Sequence, residues 1–425
     1  MAKSIFRFTS GLKSCVRNAA RNVRSFCNVG GKVGKHKGII LGLLNSNDDK
    51  DYKLSDSAEL YDRTQHDLIK FLLVSGPELF PYSGSMTTVE KVIDNTSIVM
   101  VGQDEKELET YTLNGRREKT RLVSGIASRV LKGLGVNSII VDGLGLPEAA
   151  AEGAALSTWS YPAGLPIHAL NLLNKEDEKS WEEGVFNANL QNFVRHICEI
   201  PTSQMDPTVF CDLSQMFLAN CPSVKLEVRN ETFVKKKGLH AFVKLASGSL
   251  FKPSLIEIDY AGADAKEKPF VFVGNCLMTN VGDASLKHDE KVKHKGRIAC
   301  GAITIAIMKA ISTLKLNINA TAFVPVYHTL TNTSELMSSS SDQQGRLVMG
   351  DLVSYSTAKN PGFLFTISSN TRGHKTYICP PASNIYTNTS FLWREAVKAS
   401  DMTGTTQLRG SEHKWRNSIK DSFEI

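Results

Sequence analysis

The stretch VFVGNCLMTNVGDASLK at residues 271–287 decides the fold prediction, together with SSDQQGRL at 340–347. The first begins as an apolar strand and runs into a glycine-containing turn, and the second is interpreted as an acidic loop that ends in Gly-Arg. This arrangement is typical of a two-metal hydrolase site, where carboxylates hold the metal ions. The sequence predicts the scaffold of such a site without most of its negative charge. Amides stand where carboxylates are expected, at Asn275, Asn280, Gln343 and Gln344.

Length and composition limit the class of protein. At 425 residues the chain is long enough for two domains. Its content of 41% hydrophobic and 22% charged residues is ordinary for a globular protein. No apolar run reaches the roughly 20 residues that cross a bilayer, so no membrane span is expected. The run GAITIAIMKAI at 301–311 is interrupted by Lys309 and predicts a buried helix.

The positive charge of the chain is concentrated near its N-terminus. Residues 1–40 carry nine lysines and arginines and no acid, so their net charge is +9. Since the whole chain has a net charge of +7, residues 41–425 have a net charge of about −2. A nucleic-acid-binding surface on the folded body is therefore not expected.

The basic leader, residues 1–36, has an amphipathic pattern. Apolar residues from Ile5 to Phe26 recur at steps of three and four, and arginines occupy another sector of the same helical projection. An acid-free segment of this kind is typical of a mitochondrial transit peptide. A mitochondrial location is therefore predicted. The alternative is a cytoplasmic protein whose basic tail contacts a partner or a membrane surface.

Cysteine and serine chemistry is not favoured by the sequence. The eight cysteines show no CxxC spacing and are too sparse for a disulfide scaffold, so most are expected to be small buried apolar side chains. No serine or cysteine has a partnered His-Asp arrangement that spacing alone supports.

Strands and helices alternate along the body of the chain. Residues 37–172 predict an N-terminal α/β domain, 173–201 a long connecting helix that ends at Pro201, and 202–425 a second α/β domain. The predicted strands lie at 37–44, 96–102, 137–145, 254–262, 269–275, 318–327 and 362–370, and shorter helices at 147–156, 301–314 and 347–358.

Four blocks resemble, in order and spacing, the leucyl (cytosol) aminopeptidases, which are two-metal exopeptidases that form hexamers. The resemblance covers nearly all of the chain after the leader, and it implies an α/β fold of two domains joined by the long helix, the second with a mixed central sheet. Members of the family continue beyond the block at 411–422, so the C-terminus is expected to be truncated. The blocks are DEKSWEEGVFNANLQNFVRHICEIPTSQMDPTVF, FVGNCLMTNVGDASLK, SSDQQGRL and TNTSFLWREAVKAS.

The resemblance assigns roles to positions in the first metal-site block. The family pattern VGKGxxFDxGGxxxK becomes VGNCLMTNVGDASLK in this chain. It places a metal-binding lysine at Asn275 and a metal-bridging aspartate at Asn280. A lysine that polarises the substrate carbonyl is matched by Lys287, and a further aspartate position is occupied by Ile298.

The second block, NTDAEGRL in the family, is SSDQQGRL here. Asp342 and Arg346 are kept, and Gln344 replaces the glutamate. Of the family's four carboxylate positions only Asp342 remains, and desolvating uncompensated ions costs several kcal/mol each. Amide oxygens are weak neutral ligands, and Ile298 has no donor atom. Metal-assisted hydrolysis is therefore predicted to be lost, and no cofactor is expected.

These observations predict a catalytically inactive homologue, a pseudoenzyme, with a structural or assembly role in mitochondria. By resemblance it forms a homo-oligomer, a hexamer, or a hetero-oligomer with related chains, and it is similar to degenerate aminopeptidases of insect sperm mitochondria. The alternative is a weak or altered aminopeptidase with manganese or zinc held at Asp342.

Two local alternatives stay open in the sequence. Lys287 and Arg346 either bind an anion or pair with nearby acids such as Asp283 and Asp342. The cluster around His288 and His294, within KHDEKVKHKGR, is either a replacement metal site or a charged, solvated loop, and its lysine content favours the loop.

Overall fold

The protein is described by a computed structural model in which two compact units are distinguished. One is built from residues within 28–189 and 375–425, and the other from residues within 190–374. The structure describes residues 37–45, 52–65, 69, 88–93, 96–104, 113–162, 169–247, 249–279, 288–329, 341–369, 383–403 and 407–409. The leader therefore lies outside the described residues.

The N-terminal unit contains a largely parallel sheet. Its strands are β1 (Lys37–Asn45), β2 (Tyr52–Leu54), β3 (Thr88–Ile93), β4 (Thr96–Asp104), β5 (Ser138–Val141) and β6 (Ala169–Leu172). Parallel β1 lies between β4 and β5, and β6 extends the sheet beyond β5. Strand β3 is antiparallel to β4, and β2 is antiparallel to the end of β1.

Helices cover both faces of this sheet. They are α1 (Asp56–Thr64), α2 (Leu113–Gly133) and α3 (Pro147–Thr158). Ile40 packs with residues of α2 and α3 in one core cluster, while Ile39 and Leu41 pack with Ala58 of α1 in another. Because both faces are buried, β1 is apolar without alternation, as expected for a parallel strand.

The predicted long helix is present. A short 3-10 turn, Lys175–Asp177, leads into α4 (Glu178–Glu199), which ends before Pro201. The division between the two units falls inside α4, between Asn189 and Leu190. The sequence-based domain boundaries treat this helix as a separate connector, and they remain a prediction.

The C-terminal unit contains a mixed sheet, as predicted. Its strands are β7 (Val224–Arg229), β8 (Ser254–Ala261), β9 (Phe270–Gly274), β10 (Cys276–Thr279), β11 (Asn319–Thr329) and β12 (Phe363–Ile367). They are ordered β12-β9-β11-β8-β7, and β10 also pairs with β11. The strands β12, β9, β10 and β11 are parallel, whereas β8 and β7 are antiparallel to their neighbours.

Helices also cover both faces of this second sheet. They are α5 (Pro207–Leu218), α6 (Glu231–Lys236), α7 (His240–Ala246), α8 (His288–Thr313) and α9 (Ser341–Ser356). Phe242 of α7 and Leu352 of α9 share a core cluster with Val271 and Val273 of β9. On the opposite face, a methyl group added at Gly301 of α8 would lie 2.8 Å from Cys276 Cβ, so this helix lies directly on the strand.

Two helix starts were placed wrongly from the sequence. The charged stretch at 287–297 is predicted as a loop, but α8 begins at His288. The stretch has no proline and contains four lysines, and lysine has high helix propensity. The stretch SSDQQGRL at 340–347 is also predicted as a loop, whereas α9 begins at Ser341. Serine and aspartate are favoured at helix starts, and this preference outweighs their frequency in loops.

Part of α8 has the length and composition of a membrane span. The segment Lys295–Thr313 has a mean hydropathy of 1.3, but 61% of it is buried within the fold. This is weak evidence for a membrane helix, since the central helix of a folded core has the same properties. Burial of the run at 301–311 agrees with the prediction of a buried helix.

The segment after the second sheet belongs with the N-terminal unit. It contains β13 (Ser383–Ile385), α10 (Ser390–Thr403) and β14 (Gln407–Arg409), with β13 and β14 parallel. Arg121 Nη2 of α2 donates to the Thr403 carbonyl at 2.5 Å. The sequence-based boundaries assign this segment to the second domain, and that assignment remains a prediction.

Candidate functional site

The candidate site lies where the C-terminal sheet is interrupted beside β11. β9 pairs with residues 320–323 of this strand and β10 with residues 326–329. Asn275 joins β9 to β10, and its backbone N–H donates to the Ile367 carbonyl of β12 at 3.2 Å. Pro325 lies in the gap between the two paired segments. Since proline has no N–H, the interruption falls where β11 lacks a ladder donor.

The side chain of Asn275 is buried at this junction. Only 1% of the residue is exposed, and neither Oδ1 nor Nδ2 has a hydrogen-bond partner among the described residues. Val273 and Leu277 belong to the core cluster under α9, whereas Cys276 faces α8. By strand alternation, Asn275 therefore points to the α9 face. The structure places an uncharged amide at this predicted site position.

Ile298 lies in the buried part of α8. The residue is 2% exposed, and its neighbour Cys300 is 5% exposed. The same helix is pressed against the sheet at Gly274, where an added methyl group would lie 2.8 Å from the Cys300 carbonyl. Ile298 thus lies in a part of α8 that is buried against the sheet, and its side chain carries no polar atom.

The remaining predicted residues are described only in part. Arg346 lies in α9, is partly buried and has a polar or electrostatic partner. The backbone of Asp342 and Gln344 lies at the start of the same helix, but their side chains are outside the described residues. Asn280 and Lys287 lie outside the described residues altogether. Asn275, Ile298 and Arg346 are therefore the predicted positions whose side chains the structure describes.

Two residues near the site were missed from the sequence. Tyr327 of β11 is fully buried, and Arg297 of α8 is 6% exposed. Burial raises the pKa of Tyr327 far above its ordinary value, and the nearby Arg297 charge acts in the opposite direction. The hydroxyl of Tyr327 has no hydrogen-bond partner in the described part of the chain. The sequence signal that could have identified Tyr327 is its polar hydroxyl within the apolar run at 318–327.

Helix α9 is tied to its surroundings by two polar contacts. Asp351 Oδ2 accepts a hydrogen bond from the Phe242 N–H of α7 at 3.1 Å. Tyr355 Oη donates to Glu257 Oε1 of β8 at 2.8 Å, and Arg229 Nε of β7 donates to Glu257 Oε2 at 2.7 Å. These contacts fix the helix that carries Arg346, so the site has a rigid wall on this side.

The structure brings one serine and one histidine together. Ser249 Oγ lies 2.9 Å from His328 Nδ1 and also accepts the Phe251 N–H at 3.0 Å. Burial lowers the pKa of His328, and the Asp206 charge opposes this shift. Asp206 itself caps α5 through two backbone N–H groups. The pair therefore ties the turn after α7 to β11.

Buried cysteines surround the first half of α8. Cys211, Cys276 and Cys300 are buried, in agreement with the prediction for most cysteines. Burial raises the pKa of Cys198 and of Cys211 to about 12 and that of Cys300 to about 11. These thiols are protonated at neutral pH and are poor nucleophiles.

The described residues do not fit a two-metal centre. Within them, no group of three or more His, Cys, Asp or Glu side chains is arranged to hold a metal ion. Asn275 offers a neutral amide, and Ile298 offers no donor atom. Divalent ions that prefer oxygen ligands need carboxylates close by. No catalytic step through a metal ion is derived for this chain.

Solved structures define the class of protein first: the chain has the two-domain leucine aminopeptidase-like fold. The Bottromycin maturation enzyme BotP in complex with Mn matches with a TM-score of 0.68 at 15% identity, over 90% of this chain and 84% of that one. A mutant of tomato leucine aminopeptidase matches with a TM-score of 0.69 at 14% identity, over 91% and 81% of the two chains. At these identities the likeness concerns the fold.

Sequence comparison then gives the family. The model described as "Cytosol aminopeptidase family, catalytic domain" matches residues 192–423. The chain belongs to the cytosol aminopeptidase family. The cytosol aminopeptidase of Sus scrofa is 26% identical over 427 residues, covering 93% of this chain and 82% of the relative. The family resemblance predicted from the sequence blocks is confirmed.

Proposed function

We propose that this protein is a catalytically inactive member of the cytosol aminopeptidase family with a structural or assembly role in mitochondria. The observation that carries this proposal is the burial of Ile298, which is 2% exposed at a position where the family resemblance implies a metal-ligating aspartate. An isoleucine there supplies no donor atom for a metal ion, and its burial leaves no room at its surface for water to take that part.

The environment of Asn275 supports the same proposal. The family resemblance implies a lysine at this position, but the structure has a buried, uncharged amide. An amide can keep the shape of a site while removing charge. Four positive charges from two divalent ions would then face a single predicted carboxylate, Asp342. Uncompensated charges in a buried site cost several kcal/mol each, so we expect no bound metal and no metal-activated water.

The proposed location and assembly rest on the sequence. The acid-free amphipathic leader supports mitochondrial import. Membership of the family supports a hexamer, formed by this chain alone or with related chains. A role that depends on the scaffold rather than on hydrolysis is consistent with a retained fold and substituted ligands.

The test is metal content and turnover of the purified full chain. We expect less than stoichiometric manganese or zinc by elemental analysis after incubation with either ion, and no hydrolysis of leucine amide in added manganese. Stoichiometric metal, or turnover that disappears in Asp342→Ala, would overturn the proposal. An active family member treated in parallel controls for the assay conditions.

A restoration experiment tests the cause of the loss. The variant Asn275→Lys, Asn280→Asp, Ile298→Asp and Gln344→Glu returns the four predicted ligand positions to the family residues. We expect this variant to bind metal when it is refolded or expressed with manganese, while a variant that lacks only the Ile298→Asp change binds less. Equal metal binding by both variants would remove Ile298 from the explanation. Circular dichroism establishes that each variant is folded.

A further inference from the structure

Two buried polar side chains of the C-terminal sheet have no hydrogen-bond partner among the described residues. Asn275 is 1% exposed and Tyr327 fully buried, and the atoms concerned are Asn275 Oδ1, Asn275 Nδ2 and Tyr327 Oη. An unsatisfied buried polar group costs about 1–3 kcal/mol. Since the large majority of such groups in folded proteins are bonded to protein or ordered water, three together indicate a bound molecule.

The strand register places these side chains on one face of the sheet. Leu277 is directly opposite Tyr327, and Asn275 precedes Leu277 by two residues, so all three point the same way. With strands about 4.8 Å apart and about 3.3 Å per residue, Asn275 and Tyr327 are separated by roughly 8 Å along the diagonal. This is the spacing of the two backbone positions, so both side chains lie on the same part of the α9 face.

The helix above this face closes the site. Val348 and Met349 of α9 share the core cluster of Leu277 and Tyr327, and Val348 is fully buried. These two side chains supply an apolar wall on the α9 side, while the Arg297 charge lies near Tyr327. A small molecule held here would be isolated from bulk solvent.

The chemistry of the three atoms limits the occupant. They comprise an amide acceptor, an amide donor and a hydroxyl that donates or accepts, and all are uncharged. The nearby Arg297 has an interaction partner of its own, and a neutral molecule with both a donor and an acceptor satisfies the three uncharged atoms. A buried water needs two to four polar partners, which these atoms supply.

We propose that Asn275 and Tyr327 form a buried polar site that holds ordered water between β10, β11 and α9. Water at this position satisfies an asparagine that packing alone leaves unsatisfied, and it keeps the pocket polar after the loss of charged ligands. The site goes beyond the proposed function, because it is defined by hydrogen bonding in the folded chain. Its test measures water and stability, so failure here is distinguishable from an unexpected finding of metal or turnover.

The direct test is a crystal structure of the full chain at a resolution that reveals ordered water. We expect at least one water within hydrogen-bond distance of the Asn275 amide or the Tyr327 hydroxyl. The proposal is overturned if both groups are bonded to other side chains, or if a metal ion occupies the position. It is also overturned if the space is dry.

A thermal comparison tests the same site without crystals. Tyr260 provides the matched control, because its buried hydroxyl donates directly to the Leu316 carbonyl at 2.9 Å. We expect Tyr327→Phe to lower the Tm by an amount similar to Tyr260→Phe, since each loses a hydrogen bond. A Tm that is unchanged or raised in Tyr327→Phe would overturn the proposal, because removing a dry, unsatisfied hydroxyl relieves a penalty. Circular dichroism confirms that both variants are folded.

Discussion

Ile298 and Ile303 lie five residues apart on α8 in contrasting surroundings. Ile298 is 2% exposed, whereas Ile303 is 37% exposed on the same helix. The position that the family resemblance assigns to a metal-ligating aspartate is thus buried, whereas the position of Ile303 is open to solvent. Substitution by aspartate should therefore change the free energy of unfolding by different amounts at the two positions.

We predict that Ile298→Asp destabilises the protein by at least about 3 kcal/mol, because it leaves a buried charge without a partner. Ile303→Asp is the matched control on α8 and is expected to cost about 1 kcal/mol or less. Urea unfolding followed by circular dichroism measures both. Equal losses in the two variants would contradict the burial of Ile298.

The pH dependence of stability is predicted to include an acid limb from His196. Burial lowers the pKa of His196 to about 4. Above about pH 6.5 the imidazole is therefore neutral in the folded and in the unfolded chain, and protonation of His196 takes nothing from the free energy of unfolding. Between about pH 6.5 and 4 the unfolded chain binds a proton that the folded chain does not. Stability is therefore lost as the pH falls, by about 2 kcal/mol between pH 7.5 and 5.

The variant His196→Gln should flatten this limb. His328, whose pKa is also lowered by burial, contributes in the same direction and leaves a smaller slope in the variant. His240→Gln is the control, because His240 is exposed at the start of α7. Denaturant unfolding at several pH values measures the difference, and an unchanged slope in His196→Gln would contradict the prediction.

Much of the fold could be predicted from the sequence because its strands are buried on both faces. The runs that become β1, β9 and β11 are apolar without alternation, which is the pattern of strands covered by helices on both faces. The predicted strands and the long helix α4 were therefore confirmed. The starts of α8 and α9 were missed, since charge and serine content resemble a loop until tertiary packing is included.

The site was predicted less completely than the fold. Asn275 and Ile298 were identified by their place in sequence blocks, but their burial depends on contacts between distant residues. Tyr327 and Arg297 were missed because only the strand register and the packing of α8 bring them near the site. Hydrogen-bond satisfaction at Asn275 likewise cannot be predicted from one sequence.

In the N-terminal unit, Asp142 is predicted to be a major contributor to stability. The residue is 1% exposed and accepts hydrogen bonds from Gly42 N and Leu144 N, each at 3.0 Å, and a short one from Ser55 Oγ. Asp142→Ala leaves these donors unpaired and is expected to destabilise by about 3 kcal/mol. Asp56→Ala, at an exposed position of α1, should cost less than about 1 kcal/mol. Chemical unfolding of both variants decides this prediction.

Close packing of α8 on the sheet leads to a final prediction. A methyl group added at Gly301 would lie 2.8 Å from Cys276 Cβ and 3.1 Å from Val324 Cγ1. Because both atoms belong to strands rather than to flexible chain ends, we expect Gly301→Ala to cost about 1–3 kcal/mol despite alanine's higher helix propensity. Gly350 of α9 is the control, since no atom of the described residues lies within 4 Å of its added methyl group. Gly350→Ala should stabilise by up to about 1 kcal/mol. Stabilisation by both substitutions in urea unfolding would show that α8 can move away from Asn275 and its strand without cost.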